Sequence, residues 1–235
     1  MSELIFVRHG QASFGKESYD KLSEQGVEQV RILARHWQHI GEEFDVVYSG
    51  DLLRQKETAN ELLSLVKHKP DESLQDPSFN EYNGDPLIRI YLRDHYVSDD
   101  DGLLQLPIND ERLFQKTFEL ATAKWIRNEL NPADEDRDFE YWHDFQNRVH
   151  TVIDKIMENH GNGSRVLIST SGGVIAMALQ RVLQFPDEQV ITTNWMVRNS
   201  SVTRVKYGRG KVSLTQFNSL AHLEHPDLQH LITYR

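Results

Sequence analysis

The segment IFVRHGQAS, residues 5–13, begins as an apolar run and ends abruptly in a cation, an imidazole and a glycine. Branched and aromatic residues in a short run favour a buried β-strand, so residues 4–7 are predicted to form the first strand. Arg8 and His9 then stand side by side where this strand ends. Two such polar groups at the end of a buried strand indicate a ligand site rather than a surface loop.

The rest of the chain alternates helical and strand patterns. The motif LSEQG, residues 22–26, predicts a helix with Ser23 as its N-cap, followed by apolar residues at a spacing of three to four. Because strands alternate with helices, the predicted fold class is α/β, with a mostly parallel central sheet and helices on both faces. Further strands are predicted at 45–48, 166–168, 202–207 and 212–217, and further helices after 51, over 111–130, from 142 and over 174–183.

The length of 235 residues suits one domain, residues 1–235. Residues 84–138 interrupt the alternation and contain the acidic run Asp99-Asp100-Asp101. We interpret 84–138 as a helical insertion within the domain, a cap near the predicted ligand site that shapes its pocket.

The composition excludes several classes of function for this chain. A net charge of -10 argues against non-specific binding to nucleic acid or to an anionic membrane. The sequence has no cysteine, which excludes disulfides, a thiolate nucleophile and a cysteine-based zinc site. No apolar run approaches the ~18 residues of a membrane span, and the first strand begins too close to Met1 for a signal peptide. The expected location is the cytoplasm.

Polar clusters follow three of the predicted strands, at residues 8–10, 49–51 and 169–173. In open α/β sheets, ligands bind at the carboxyl ends of the strands. Arg54 follows the second cluster in the first turn of a predicted helix, where a cation is disfavoured by roughly 0.3–1 kcal/mol. A bound anion would reverse that preference, whereas a solvated Arg54, or one paired with Asp51, would leave the cluster without a ligand.

These clusters suit a phosphate group. Arg8, Arg54 and the glycine turn 172–173 are candidates to surround one such anion. A neutral imidazole, as in His9, can attack phosphorus and carry the phosphoryl group covalently. Guanidinium groups lower the barrier because charge spreads over the phosphoryl oxygens during transfer. A structural role for His9 is the alternative.

In this order and at these spacings, the motifs resemble the histidine phosphatase superfamily, also called phosphoglycerate mutase-like, over almost the whole chain. The most specific element is Arg8-His9-Gly10 after the first strand. The supporting segments are 22–26, which matches a Leu-Ser-x-x-Gly helix start, 49–59, which resembles the segment of the second phosphate-binding arginine, 79–82, at the place of the acidic proton donor, and Ala221-His222-Leu223.

The resemblance implies roles for four residues. His9 would be the phosphorylated nucleophile, and Arg8 and Arg54 would hold the phosphate. Glu81 would be the general acid and later the base for water. The implied function is a phosphomonoester hydrolase with a ping-pong mechanism that requires no cofactor.

One position departs from the family pattern. Members usually carry a second histidine after the third strand, where this chain has Ser171, followed by Gly172. Both are assigned to phosphate binding, although Ser171 donates only a neutral hydrogen bond, which is roughly half as strong as a charge-assisted one. Gln11 and Ser13 are possible substrate contacts, with a plain loop role as the alternative. A structural or supporting role is expected for His222.

The expected partner is a phosphorylated small molecule or a phosphoprotein, without nucleic acid, membrane or metal. Residues 99–101 lack the spacing of a calcium loop. A non-catalytic phosphate-binding protein and a phosphoglycerate mutase remain alternatives. A third is an α/β-hydrolase in which Ser171 is the nucleophile and Asp187 and His222 follow in the chain order of a triad.

Overall fold

The computed structural model describes residues 1–13, 20–95, 108 and 111–234. Within these residues one six-stranded sheet forms, in the order β3-β2-β4-β1-β5-β6. Strands β3, β2, β4 and β1 run parallel to one another. Strand β5 is antiparallel to β1, and β6 is antiparallel to β5. The predicted α/β class with a mostly parallel sheet is therefore confirmed. The strands are β1 (Ser2–Arg8), β2 (Val46–Ser49), β3 (Leu74–Gln75), β4 (Arg165–Thr170), β5 (Val202–Gly208) and β6 (Lys211–Ser219).

Helices connect the parallel strands. Ser23 caps the first helix as predicted, because its side-chain oxygen accepts a hydrogen bond of 3.0 Å from the Gly26 N–H. No helix in the described ranges is long and apolar enough to cross a membrane. The helices are α1 (Glu24–His39), α2 (Leu53–Leu62), α3 (Asp85–His95), α4 (Glu111–Ile126), α5 (Trp142–Asn159), α6 (Gly172–Leu183) and α7 (Glu188–Met196), with short 3-10 helices at Leu63–Leu65, Pro77–Phe79 and Pro226–Leu231.

The apolar run at the start of the chain is buried on both faces of the sheet. Ile5 and Val7 point to one face and Leu4 and Phe6 to the other, and all four are at most 1% exposed. Double-sided burial of this kind explains why the run does not alternate with polar residues. Ile5 and Val7 belong to one buried hydrophobic cluster with residues of α1 (Val30, Leu33 and Trp37) and of α2 (Ala59 and Leu62).

The chain divides into two compact units. The first contains Met1–Glu81 and Val149–Arg235, and the second contains Tyr82–Arg148. The predicted insertion, residues 84–138, lies within the second unit, and its role as a cap stays a prediction. Residues 99–101 lie outside the described residues.

The second unit has an aromatic core. Trp125 is at its centre, with ring centroids 5.0 Å from Tyr82, 4.9 Å from Trp142 and 5.8 Å from Phe145. Aromatic pairs at such distances bury a large apolar area. The predicted helix over 111–130 is α4, which ends earlier, at Ile126.

Candidate active site

The first and third polar clusters lie next to each other at one edge of the sheet. Strands β1 and β4 are parallel neighbours, with Arg8 opposite Thr170. The backbone N–H of His9 extends this pairing by donating to the Thr170 carbonyl at 2.9 Å. His9 and Ser171 therefore leave the sheet side by side. The second cluster joins them, because Ser49 of β2 pairs with Ser169 of β4.

The two ring nitrogens of His9 bind different groups, one a backbone carbonyl and the other the Arg54 guanidinium group. Its Nδ1 lies 2.7 Å from the Gly10 carbonyl oxygen, which can only accept, so Nδ1 carries the proton. Its Nε2 accepts a 3.1 Å hydrogen bond from Nε of Arg54. Burial and the Arg54 and Arg8 guanidinium groups hold the pKa of His9 well below its usual range. The ring is therefore neutral at neutral pH, with a lone pair on Nε2.

Arg54 is held by an aspartate that the sequence analysis did not single out. Its Nη1 donates to the Asp20 carboxylate at 2.5 Å. The other Asp20 oxygen accepts from the Leu53 N–H at 2.7 Å and so caps the start of α2. Asp51, the expected alternative partner, accepts from Asn80 instead. Arg54 is thus neither solvated nor paired with Asp51.

Arg8 is the second cation beside His9. It ends β1, and its Nη1 donates to the Val197 carbonyl. Both guanidinium groups act electrostatically on the His9 ring. The structure thus brings together the three residues predicted to bind and attack phosphate.

The Glu81 side chain contacts the N-terminus of α6. Its Oε2 accepts a 2.9 Å hydrogen bond from the Gly173 N–H. A carboxylate is favoured there because a helix N-terminus carries positive partial charge. The predicted proton donor and the predicted glycine turn are therefore neighbours.

Ser171 has an unexpected partner. It is buried at the N-cap position of α6 but makes no side-chain capping bond. Its Oγ instead lies 2.9 Å from Nε2 of Gln55, which sequence reasoning missed. At Gly172, a Cβ atom would lie 2.4 Å from Oδ1 of Asn194, so a side chain there would require the Asn194 side chain to move.

Gln11 and Ser13 are both engaged in the loop before α1. The Gln11 side-chain oxygen accepts from the Ser23 hydroxyl at 2.8 Å. The Ser13 hydroxyl donates to the Leu22 carbonyl at 3.0 Å. These bonds connect the loop to the start of α1, while a substrate contact by either residue stays a prediction.

His222 supports the segment next to β1. Its Nε2 lies 2.9 Å from the Ser200 hydroxyl, and the Ser200 N–H donates to the Arg8 carbonyl at 3.1 Å. Burial, with a smaller effect from His36, lowers the pKa of His222 to about 3. His222 binds Ser200, and the Ser171 hydroxyl binds Gln55. This arrangement does not fit the α/β-hydrolase alternative, in which Ser171 and His222 would belong to one catalytic triad.

The chain is similar to known proteins over most of its length. Residues 4–100 and 110–220 match the sequence model of the histidine phosphatase superfamily (branch 1). A 2,3-bisphosphoglycerate-dependent phosphoglycerate mutase from Gloeothece citriformis (strain PCC 7424) is 25% identical over 214 residues, which cover 81% of this chain and 88% of that protein.

Solved structures show the same fold. A phosphoglycerate mutase from Bacillus anthracis str. Sterne superposes with a TM-score of 0.64 at 22% identity, covering 94% of both chains. A phosphoserine phosphatase mutant from Entamoeba histolytica, in complex with phosphoserine, gives a TM-score of 0.62 at 18% identity and covers 95% of this chain and all of that one. At these identities the likeness establishes the fold.

Proposed function

Because the chain belongs to the histidine phosphatase superfamily, we propose that it is a phosphomonoester hydrolase with a phosphohistidine intermediate on His9. One observation supports this most: the Gly10 carbonyl fixes the proton on Nδ1 of His9, which leaves the Nε2 lone pair facing Arg54. A nucleophilic histidine must be neutral, and the lowered pKa of His9 keeps it so.

In the first half-reaction, Nε2 of His9 gives up its hydrogen bond from Arg54 and forms a bond to phosphorus, while the bond from phosphorus to the alcohol oxygen breaks. Arg8 and Arg54 bind the non-bridging oxygens, where negative charge collects. Glu81 gives its proton to the departing oxygen, which leaves as an alcohol. A dianionic phosphate group near Glu81 favours the protonated carboxyl, because like charges disfavour ionisation.

In the second half-reaction, a water oxygen attacks phosphorus and the bond to His9 breaks. Glu81, now a carboxylate, takes a proton from that water. Inorganic phosphate leaves, and His9 and Glu81 return to their starting states. The proposed substrate is a phosphorylated small molecule or a phosphoprotein; related proteins of known structure include enzymes described in complex with phosphoserine and with 3-phosphoglyceric acid. A cytoplasmic location stays a prediction.

The test is phosphate release from an aryl phosphate between pH 4 and 8, with wild type beside His9→Ala. Release that vanishes in His9→Ala, together with a phosphorylated histidine trapped in the wild type, supports the proposal. His143→Ala is the control, because His143 is an exposed histidine whose ring contacts Asp144. Equal release from wild type and His9→Ala would contradict the mechanism. Transfer of the phosphoryl group to a second substrate hydroxyl, rather than to water, would favour a mutase.

A non-catalytic phosphate-binding protein is the second candidate. Ser171 favours it, because a hydroxyl supplies no positive charge to the transition state. This candidate predicts binding of inorganic phosphate without hydrolysis of any phosphomonoester. In that case, turnover gained by Ser171→His would identify the hydroxyl as the cause.

A further inference from the structure

The amide of Gln55 has a defined orientation. Gln55 is fully buried in the first turn of α2, next to Arg54. Its Nε2 donates to the Phe79 carbonyl at 3.0 Å. Since a carbonyl oxygen only accepts, this contact identifies the amide NH₂ group and excludes the flipped amide. The same nitrogen lies 2.9 Å from the Ser171 hydroxyl oxygen.

The Ser171 hydroxyl therefore acts as an acceptor toward Gln55. A hydroxyl has one proton, and in this arrangement it is directed away from the amide. The Ser171 Oγ accepts no capping bond from α6, and among the described residues its hydroxyl donates to no protein group. The proton is thus available to a group at the edge of the sheet where His9 lies.

A purely structural role explains Gln55 poorly. Its Oε1 atom is buried and has no hydrogen-bond partner in the described ranges. Burying such an oxygen costs about 1–3 kcal/mol, whereas an apolar side chain of similar length would avoid this cost. The glutamine is therefore better explained by what its NH₂ group does.

We infer that Gln55 is a positioning residue, which holds the Ser171 hydroxyl as an acceptor so that the hydroxyl donates its proton to a phosphoryl group at His9. This inference rests on the proposed function. Successive residues of α2 would then serve the two sides of the site: Arg54 contacts His9, and Gln55 contacts Ser171. The Ser169 hydroxyl, which donates to the Gln55 carbonyl at 2.8 Å, fixes the same turn against β4.

A double-mutant cycle tests the inference. Gln55→Met, Ser171→Ala and the double variant are compared with wild type for kcat and KM on an aryl phosphate and for affinity toward orthovanadate. Each single substitution is expected to lower kcat and vanadate affinity by up to about tenfold, the value of one neutral hydrogen bond, with little change in KM. The double variant should match Ser171→Ala, because loss of the amide at position 55 has no further effect once the Ser171 hydroxyl is gone.

Losses that multiply in the double variant would overturn the inference, since Gln55 would then act through another contact, such as the Phe79 carbonyl before Glu81. An unchanged Gln55→Met variant would overturn it as well. Gln38→Met is the matched control, because Gln38 donates to the Ser64 hydroxyl at 3.3 Å on the surface. If Gln55→Met does not fold, Gln55→Asn takes its place, since the shorter amide cannot span both acceptors.

Measurement of orthovanadate affinity distinguishes a failure of this inference from a failure of the proposed function. If the wild type binds vanadate but releases no phosphate, the proposed hydrolase activity is contradicted. The double-mutant cycle in vanadate affinity then still tests the role of Gln55. A wild type that hydrolyses but shows multiplicative losses contradicts the role of Gln55 alone. A wild type that neither binds vanadate nor releases phosphate overturns both.

Discussion

The backbones of Gly10 and Gly26 are in direct contact. A Cβ atom on Gly10 would lie 2.3 Å from the Gly26 carbonyl oxygen, and a Cβ atom on Gly26 would lie 2.1 Å from the Gln11 carbonyl oxygen. These distances are far below van der Waals contact and involve backbone, which cannot rotate away. The loop that follows His9 and the start of α1 approach so closely because neither position has a side chain.

The substitution Gly26→Ala is expected to separate the loop from α1. We expect a loss of about 1–3 kcal/mol in the free energy of unfolding, as for other overpacked sites, and a loss of activity because His9 moves with the loop. Urea unfolding and phosphate release measure the two effects. Gly161→Ala is the control, since a Cβ there meets no atom within 4 Å. Equal stability of the two variants would contradict this account of Gly26.

Arg54→Lys should impair activity although the charge is kept. Arginine reaches His9 through Nε and Asp20 through Nη1 at the same time, and a single ammonium group cannot replace this geometry. We expect kcat/KM to fall by about 10²–10³, comparable to loss of one transition-state donor. Arg31→Lys is the matched control, because Arg31 makes a two-pronged contact with Glu61 on the surface. A similar small loss in both variants would mean that charge alone matters at Arg54.

Asp20→Asn should strengthen the binding of inorganic phosphate. The Asp20 carboxylate repels an anion held by Arg54, and asparagine retains an oxygen that can accept from the Leu53 N–H. For this partly exposed carboxylate we expect about 1 kcal/mol, or roughly fivefold in Kd, with a smaller effect at high salt. Titration calorimetry at two salt concentrations measures the change.

Asp45→Asn is the control for this experiment, since Asp45 also accepts from one side-chain cation, Lys67, and one backbone N–H, of Arg165. Weaker phosphate binding by Asp20→Asn would show that Asp20 serves mainly to hold Arg54 in place.

Stability should rise with pH between about 3 and 6.5 because of His222. The folded pKa of His222 is about 3 and its usual value is 6.5, so the unfolded chain binds more protons within this window. The stabilisation is fully present above pH 6.5 and is lost as the pH falls toward 3, with a slope of up to about 1.36 kcal/mol per pH unit. His9, whose pKa is also lowered, adds to the slope in the same direction.

Urea unfolding between pH 5 and 6.5 tests this prediction. His222→Gln should reduce the slope by up to about one proton, because in this pH range the unfolded chain binds that proton and the folded chain does not. An unaltered slope in His222→Gln would show that His222 is protonated in the folded chain at these pH values.

Local patterns predicted most of the fold. The apolar run of β1, the Ser23 cap and the strands β5 and β6 lie where the sequence predicts them, to within two residues at each strand end. The short strand β3 and the helices α3 and α7 were not predicted. Strand β3 has two residues, both exposed, so it carries no apolar periodicity. Pairing with β2, and not its own composition, makes it a strand.

At the candidate site, residue types that carry chemistry were recognisable, whereas their partners were not. Arg8, His9 and Arg54 stand in motifs that follow strands, and Glu81 stands in the segment 79–82 that resembles the family's proton-donor segment. Asp20 and Gln55 stand in no such motif, and a buried glutamine has no signature that distinguishes it from an exposed one. The alternative pairing of Arg54 with Asp51 does not occur, because Arg54 binds Asp20 and Asp51 binds Asn80.

The sequence by itself determined most of the elements and which groups follow β1, β2 and β4, because strand periodicity, helix caps and glycines act over a few residues. Only the tertiary structure decided how those groups are held. Arg54 meets His9 across 45 positions of sequence, and Gln55 meets Ser171 across 116. Hydrogen bonds and desolvation depend on distances of a few ångströms between segments far apart in the chain, and these distances exist only once the core has packed.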